Sequence, residues 1–362
     1  METLMKAKRL YSYEPDYAVP PGETLQEVMR SLDMTQKDLA ARTELTVQSL
    51  IRIFKGEQPI SYETANKLEL VTNVPARFWN NLESNYREQL AKLAEREQLE
   101  KDLEWLKQIP VRELINRGEI EEQKEKVLQL REMLAFYGTS SVDAWHDIWD
   151  EPALAARRSQ CFETRPGPAS AWIRLGERAA QKVNGEPYNE IRFREALKDI
   201  RSLTRKSAKE FQPAMHKLCA EAGVALSLVP EMKKVPWNGA TKWISPKKVM
   251  ILLNLRGKGE DRFWFSFFHE AGHVLHDSKK DLLINDGSED DPREKRANTF
   301  AGQFLIPHSA NPSIRCARSA VELRAIAAEL GVAPGIVAGR YQFLTKRWNY
   351  YKELIRPFNW AE

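Results

Sequence analysis

Three of the chain's six histidines fall within eight residues, HEAGHVLH at 269–276, with Glu270 beside the first of them. On a continuous helix, positions four apart lie about 6 Å from each other along the axis and share a face. His269 and His273 can therefore both turn an imidazole nitrogen toward one ion at ~2.0–2.1 Å. Glu270 then stands beside the ion, placed to take a proton from bound water. His276 lies seven residues from His269, about 10.5 Å along a helix, so one ion cannot bind both. It is expected as a cap or as a hydrogen-bonding group behind the ligands. An isolated motif this short also arises by chance, as three polar residues on one helix face. The apolar FWFSFF just before it and a Glu-bearing helix after it favour the metal site.

The third ligand must come from elsewhere. REKRANTFAGQFLIP, at 293–307, has the pattern of an amphipathic helix ending at a proline. Within it Glu294 and Asn298 are four apart, so Glu294 can complete a His-His-Glu set while Asn298 hydrogen-bonds a ligating histidine. The acidic run Glu289-Asp290-Asp291 and His308 are weaker rivals. Cys161, Cys219 and Cys316 form no CxxC pair and are expected as reduced, mostly packed thiols, which leaves the metal to histidine and carboxylate.

The elements that must hold these residues are marked by changes of period. VALSLVPE, NGATKWIS and KVMILLNL are short β-rich runs separated by Pro, Gly and Asn, predicting a small antiparallel or mixed sheet directly before the histidine helix. Residues 24–82 instead carry short amphipathic helices. Thr35 caps one with Leu39 and Ala40 inward, Thr43-Glu44-Leu45 makes a turn, and Thr46 caps a second with Leu50, Ile51 and Phe54 inward and Gly56 beyond its end. Ser61 caps a third that buries Leu68.

Two short helices across a three- or four-residue turn have helix-turn-helix geometry, in which the second enters the major groove. Val47, Gln48, Ser49 and Arg52 are then turned toward base edges, while Gln36, Lys37 and Lys55 are placed for phosphates. A structural helical domain with solvated polar faces would show the same pattern. Between these regions the chain is charged and helical. Leu99, Leu103 and Leu106 suggest one buried stripe, Pro110 and Gly118 bracket a further helix, and Trp145, Trp149, Trp172 and Tyr188 are expected as core aromatics in helical stretches.

A length of 362 residues predicts two or three domains. With 42% hydrophobic and 29% charged residues the chain is globular, not disordered. It has no run of ~18 apolar residues and no signal-peptide pattern at its start, so a cytoplasmic protein without membrane contact is expected. A net charge of +4 permits a polyanionic partner without demanding one.

The stretch GATKWI, DRFWFSFFHEAGHVLH and EKRANTFAGQFLIP resembles the ImmA/IrrE family of zinc-dependent metallo-endopeptidases. TQKDLAARTELTVQSLIRIFKGEQPISYETANKLE with PARFWNNLESNYRE resembles the helix-turn-helix of HigA-type, Xre-like antitoxins. Together these cover about two-thirds of the chain. The resemblance implies a multidomain fold: an all-α helix-turn-helix domain with an N-terminal arm at 1–85, a helical connector at 86–166, and an α+β zincin-like domain at 167–362. It implies Zn²⁺ on His269, His273 and Glu294, with Glu270 as catalytic base and Asn298 behind the ligands. It also implies a transcriptional regulator or antitoxin, homodimeric on a palindromic double-stranded operator, whose other partner is a protein substrate or cognate toxin. The family commonly reads Glu-x-Glu-Ala-Asn at the third ligand, whereas this chain has Arg296 at the second acidic position.

Overall fold

The computed structural model describes residues 17–157, 166–278, 282–285 and 291–360. The N-terminal arm, Cys161, Glu289 and Asp290 lie outside the described residues. The chain divides into two compact units, one of residues 1–103 with 125–127 and the other of 104–124 with 128–362.

The first unit is helical throughout its described residues: α1 (Pro21–Ser31), α2 (Gln36–Thr43), α3 (Val47–Phe54), α4 (Tyr62–Thr72) and α5 (Ala76–Lys101). The starts of α2, α3 and α4 are set by side chains that satisfy free N–H groups of the first turn, while α1 and α5 begin after Pro20 and Pro75. Thr35 and Asp38 form a reciprocal capping box, Thr46 Oγ1 accepts from the Ser49 amide at 3.0 Å, and Ser61 Oγ accepts from Thr64 at 3.1 Å. Glu44 takes a left-handed φ of 56°, which ends α2 and makes the turn. Leu25, Leu39, Leu50, Ile53, Leu68 and Trp79 are the unit's most deeply buried large apolar side chains.

Two sequence expectations change here. The buried residue of α3 is Ile53, while Ile51 is 39% exposed. Both flank the Leu50/Phe54 stripe, and the packing of α1 decides between them: Gly22 sits so close to Ile53 and Phe54 that a Cβ there would lie 2.3 Å from their backbone. The stripe of Leu99, Leu103 and Leu106 is not one helix either, since α5 ends at Lys101 and a 3-10 turn spans Leu103–Lys107.

The second unit carries α6 (Val111–Asn116), α7 (Lys126–Tyr137), α8 (Val142–Arg157), α9 (Pro166–Lys182), α10 (Glu190–Leu203) and α11 (Ala208–Glu221). The sheet and its helices follow: β1 (Val224–Leu228), β2 (Gly239–Ser245), β3 (Lys248–Leu253), α12 (Glu260–His276), β4 (Leu283–Asn285), α13 (Pro292–Leu305), α14 (Asn311–Cys316), α15 (Ala320–Leu330) and α16 (Pro334–Thr345). Tyr188 lies in the loop before α10 rather than in a helix, its ring 4.9 Å from that of Trp243.

The sheet is mixed, in the order β1-β3-β2-β4. β3 runs parallel to β1 and antiparallel to β2, and β2 is antiparallel to β4. β3 is central and covered on both faces, which is why VMILL is an unbroken apolar run instead of an alternating one. One face packs α9, where Gly176 admits Leu252, and the other packs α12 through Ile251 and Leu253. Phe263, Trp264, Phe267 and Phe268 bury α12 in the same core, so the histidine helix is anchored along its length.

Candidate metal centre

α12 presents His269 and His273 on one face, and α13 crosses it closely enough to bring in a carboxylate. Gly272 permits that approach, because a Cβ there would lie 3.2 Å from the Ala297 Cα of α13. Glu294, in the first turn of α13, places Oε2 3.1 Å from His269 Nε2 and Oε1 3.0 Å from His273 Nε2. The two Nε2 atoms are 3.0 Å apart, and the three donors fall within 4.8 Å of one another. All three residues are buried.

Behind each histidine stands an oxygen. Asn298 Oδ1 lies 2.9 Å from His269 Nδ1, and Asp277 Oδ2 lies 2.7 Å from His273 Nδ1, which leaves both Nε2 atoms to face inward. The other Asp277 oxygen accepts from Arg296. Arg296 therefore leaves the triad intact and secures Asp277. Sequence reasoning missed Asp277, although a carboxylate four residues after a ligating histidine was a usable signal.

Electrostatics mark the spot as one for a cation. Burial works against a charged His273, but the Glu294 hydrogen bond, the Glu270 and Glu294 charges and the Asp277 hydrogen bond outweigh it, lifting His273 to about 9. Burial would likewise raise Glu294, yet the hydrogen bonds and charges of the two histidines hold it down at about 2. Two nitrogens and a carboxylate whose lone pairs converge this tightly match the donor set of a three-ligand zinc site.

Glu270 is fully buried beside this triad. Burial raises its pKa, opposed by His269, His273 and a hydrogen bond from Thr241. Thr241 Oγ1 donates to Glu270 Oε2 at 2.7 Å, whereas Oε1 has no hydrogen-bond partner among the described residues. That atom lies over Gly239 at the start of β2, where a Cβ would come within 2.5 Å of it. A buried carboxylate oxygen left unpaired costs free energy, so its vacancy for a hydrogen-bond donor fits a water held at the triad.

His276 is neither a cap nor a group behind the ligands. It is exposed at the last position of α12, its ring 5.5 Å from that of Phe300, and Asp277 takes the place expected for it. His308 is exposed near Gln303, and Asp291 caps α13 through the Arg293 amide at 2.8 Å. Cys219 is buried, and Cys316 is exposed rather than packed.

In the helical unit, Gln36, Lys37, Val47, Gln48, Arg52 and Lys55 are exposed. Ser49 is half-buried, and its hydroxyl donates to Gln58 Oε1 at 3.0 Å. Ile51 joins the outward face of α3 beside Val47, an apolar position that sequence reasoning had turned inward. Among the described residues no helix is long and apolar enough to cross a membrane.

Residues 229–341 match the IrrE N-terminal-like domain of peptidase family M78, and residues 25–79 match the helix-turn-helix family. A search of the curated proteins finds no match. Among solved structures, PA4674 from Pseudomonas aeruginosa in complex with its 18-bp operator DNA is 28% identical over 22% of this chain and 85% of that one, with a TM-score of 0.21. The chain thus joins a helix-turn-helix DNA-binding domain at 25–79 to an IrrE-like domain at 229–341.

Proposed function

We propose that the protein is a DNA-binding regulator whose IrrE-like domain hydrolyses a peptide bond in a protein partner, with zinc held by His269, His273 and Glu294. The observation that carries this reading is the convergence of three buried donors beside a Glu270 Oε1 that has no hydrogen-bond partner among the described residues. Zinc bound there supplies a Lewis acid that acidifies water and polarises a carbonyl. Glu270 Oε1 takes the proton of the attacking water and passes it on to the leaving amine. Thr241 fixes the carboxylate through Oε2, while Asn298 and Asp277 hold the two imidazoles in one tautomer. The experiment is incubation of zinc-loaded protein with the product of its neighbouring gene, alongside Glu270→Gln. Cleavage by the first alone is expected, and equal cleavage by both would defeat the assignment.

The DNA face is assigned to α3, with Gln48 and Arg52 on base edges, Val47 on a thymine methyl, and Gln36, Lys37 and Lys55 on phosphates; Ser49, tied to Gln58, borders it. One recognition helix reads a half-site, so a homodimer on a palindromic operator follows. A second reading draws on the complete burial of His269, Glu270 and His273. In it the metal is structural or sensory, and the protein acts only by binding, as an antitoxin or repressor that engages DNA and a toxin. The proteolysis experiment separates the two.

A further inference from the structure

The metal centre is buried. His269 and Glu270 are 0% exposed, His273 1% and Glu294 6%, so a peptide bond reaches them only after an element beside them moves. β4 is placed to be that element. It pairs antiparallel with β2, Leu283 opposite Thr241, Ile284 opposite Ala240 and Asn285 opposite Gly239, and it also touches α12. Those three residues of β2 are the stretch that flanks Glu270: Thr241 donates to Oε2, and Gly239 lies against Oε1. Side chains alternate across a strand, so Leu283, opposite Thr241, stands on the sheet face turned to α12, where it is buried.

β4 thereby fills what would otherwise be a free sheet edge. An unpaired edge offers a row of N–H and C=O groups to which an extended peptide adds as a further strand. β4 takes that row at Gly239–Thr241, while the rest of β2, from Lys242 on, pairs only with β3 among the described strands. The hold of β4 is short, three residue pairs, whereas the β2–β3 ladder runs from Gly239 to Ser245. Elements held by few contacts are the ones that open locally without unfolding the rest.

We propose that β4 is an internal stand-in for the substrate strand: it closes the metal centre by occupying the β2 edge beside Glu270, and the centre opens when β4 leaves that edge. What enters is an extended segment of the protein substrate, which replaces β4 antiparallel to β2. The entry of substrate rests on the peptidase reading, whereas the closure rests on the geometry alone.

The test is a reversible lock in the full-length protein, Ala240→Cys combined with Ile284→Cys. Opposed residues of an antiparallel pair lie within reach of a disulfide, and by alternation from Gly239 and Thr241 this pair is on the sheet face away from Glu270. The readout is carbodiimide coupling of glycine methyl ester to the Glu270 carboxyl, mapped by peptide mass spectrometry, which needs neither zinc nor turnover. Glu270 is expected to couple in the reduced protein and at least about tenfold more slowly in the oxidised one, because the bond removes the open population. Equal rates, or no coupling in either state, overturn the proposal. Leu283→Asp supplies a second reading, since an unpaired charge at that buried position expels β4 and should raise coupling above the wild-type rate; an unchanged rate there also counts against the closure. Casein digestion by the zinc-loaded reduced and oxidised proteins reads the other question. Cleavage by the reduced form alone is expected, and equal cleavage by both overturns the stand-in role. Cleavage by neither, with the coupling difference intact, defeats the peptidase reading alone.

Discussion

The three histidines of HEAGHVLH are chemically unequal, and the inequality is set by what stands behind each ring. His269 and His273 have Nδ1 engaged and Nε2 turned toward Glu294, whereas His276 meets only the edge of Phe300 among its ring contacts. His269→Ala, His273→Ala and Glu294→Ala are expected to lose zinc, and Glu270→Gln and His276→Ala to keep one equivalent; metal analysis of the purified variants reads this directly. Retention of zinc by His269→Ala would remove the site. Asp277→Asn should weaken zinc by about 10- to 100-fold, since the amide retains the shape but loses the charge that holds His273. The pairing of His269 with His273 on one face was legible from spacing, because positions four apart on a helix admit little freedom. Asp277 could have been read from its place four residues after His273, whereas Arg296 could not, because its contact with Asp277 depends on how α13 lies against α12, which no local pattern records. The two described thiols differ for similar reasons: Cys219 is buried, which pushes it up to about 12, so Cys316 should react with iodoacetamide before Cys219, as mapped by peptide mass spectrometry.

Elements were legible where capping residues and period agreed. Thr35, Thr46 and Ser61 each accept the amide that their position implied, and the three β-rich runs became the first three strands. The choice between Ile51 and Ile53 was hidden because both lie beside the same stripe, and only the approach of Gly22 on α1 separates them. β4 is three residues long and carries too little period to be read at all. The outward face of α3 makes its own prediction. Arg52→Ala should relax base preference, while Lys55→Ala should weaken binding to all sequences and reduce the log–log salt slope by about 0.9. Titrations of operator and scrambled duplexes at several salt concentrations measure both, and an unchanged slope in Lys55→Ala would take that lysine off the phosphates. At β2, Gly239→Ala would drive a Cβ into Glu270 Oε1. It should keep zinc and lower turnover by about 100-fold, the scale of a 1 Å displacement of a reacting group.

At the scale of the whole chain, composition excluded disorder and membrane spans but said nothing of what the two halves do for each other; their identities came from local motifs, and the division at Leu103 falls inside the stretch read as a connector. The two proposed functions differ at this level. If the IrrE-like domain is a peptidase, zinc is needed for cleavage and operator affinity is indifferent to it. If the metal is a signal, operator affinity must change with zinc, because a ligand shifts an equilibrium only by its unequal affinity for two states. The prediction is that chelation leaves the operator dissociation constant unchanged within about twofold while lowering the melting temperature of one of two calorimetric transitions. The stabilisation lost should be about 4 kcal/mol if free zinc stood near a thousand times its dissociation constant. Removal of residues 1–85 should abolish operator binding and leave the zinc-dependent transition in place. A tenfold change in operator affinity on chelation would instead show that the metal centre reports to the DNA face, and the sensory reading would then replace the hydrolytic one.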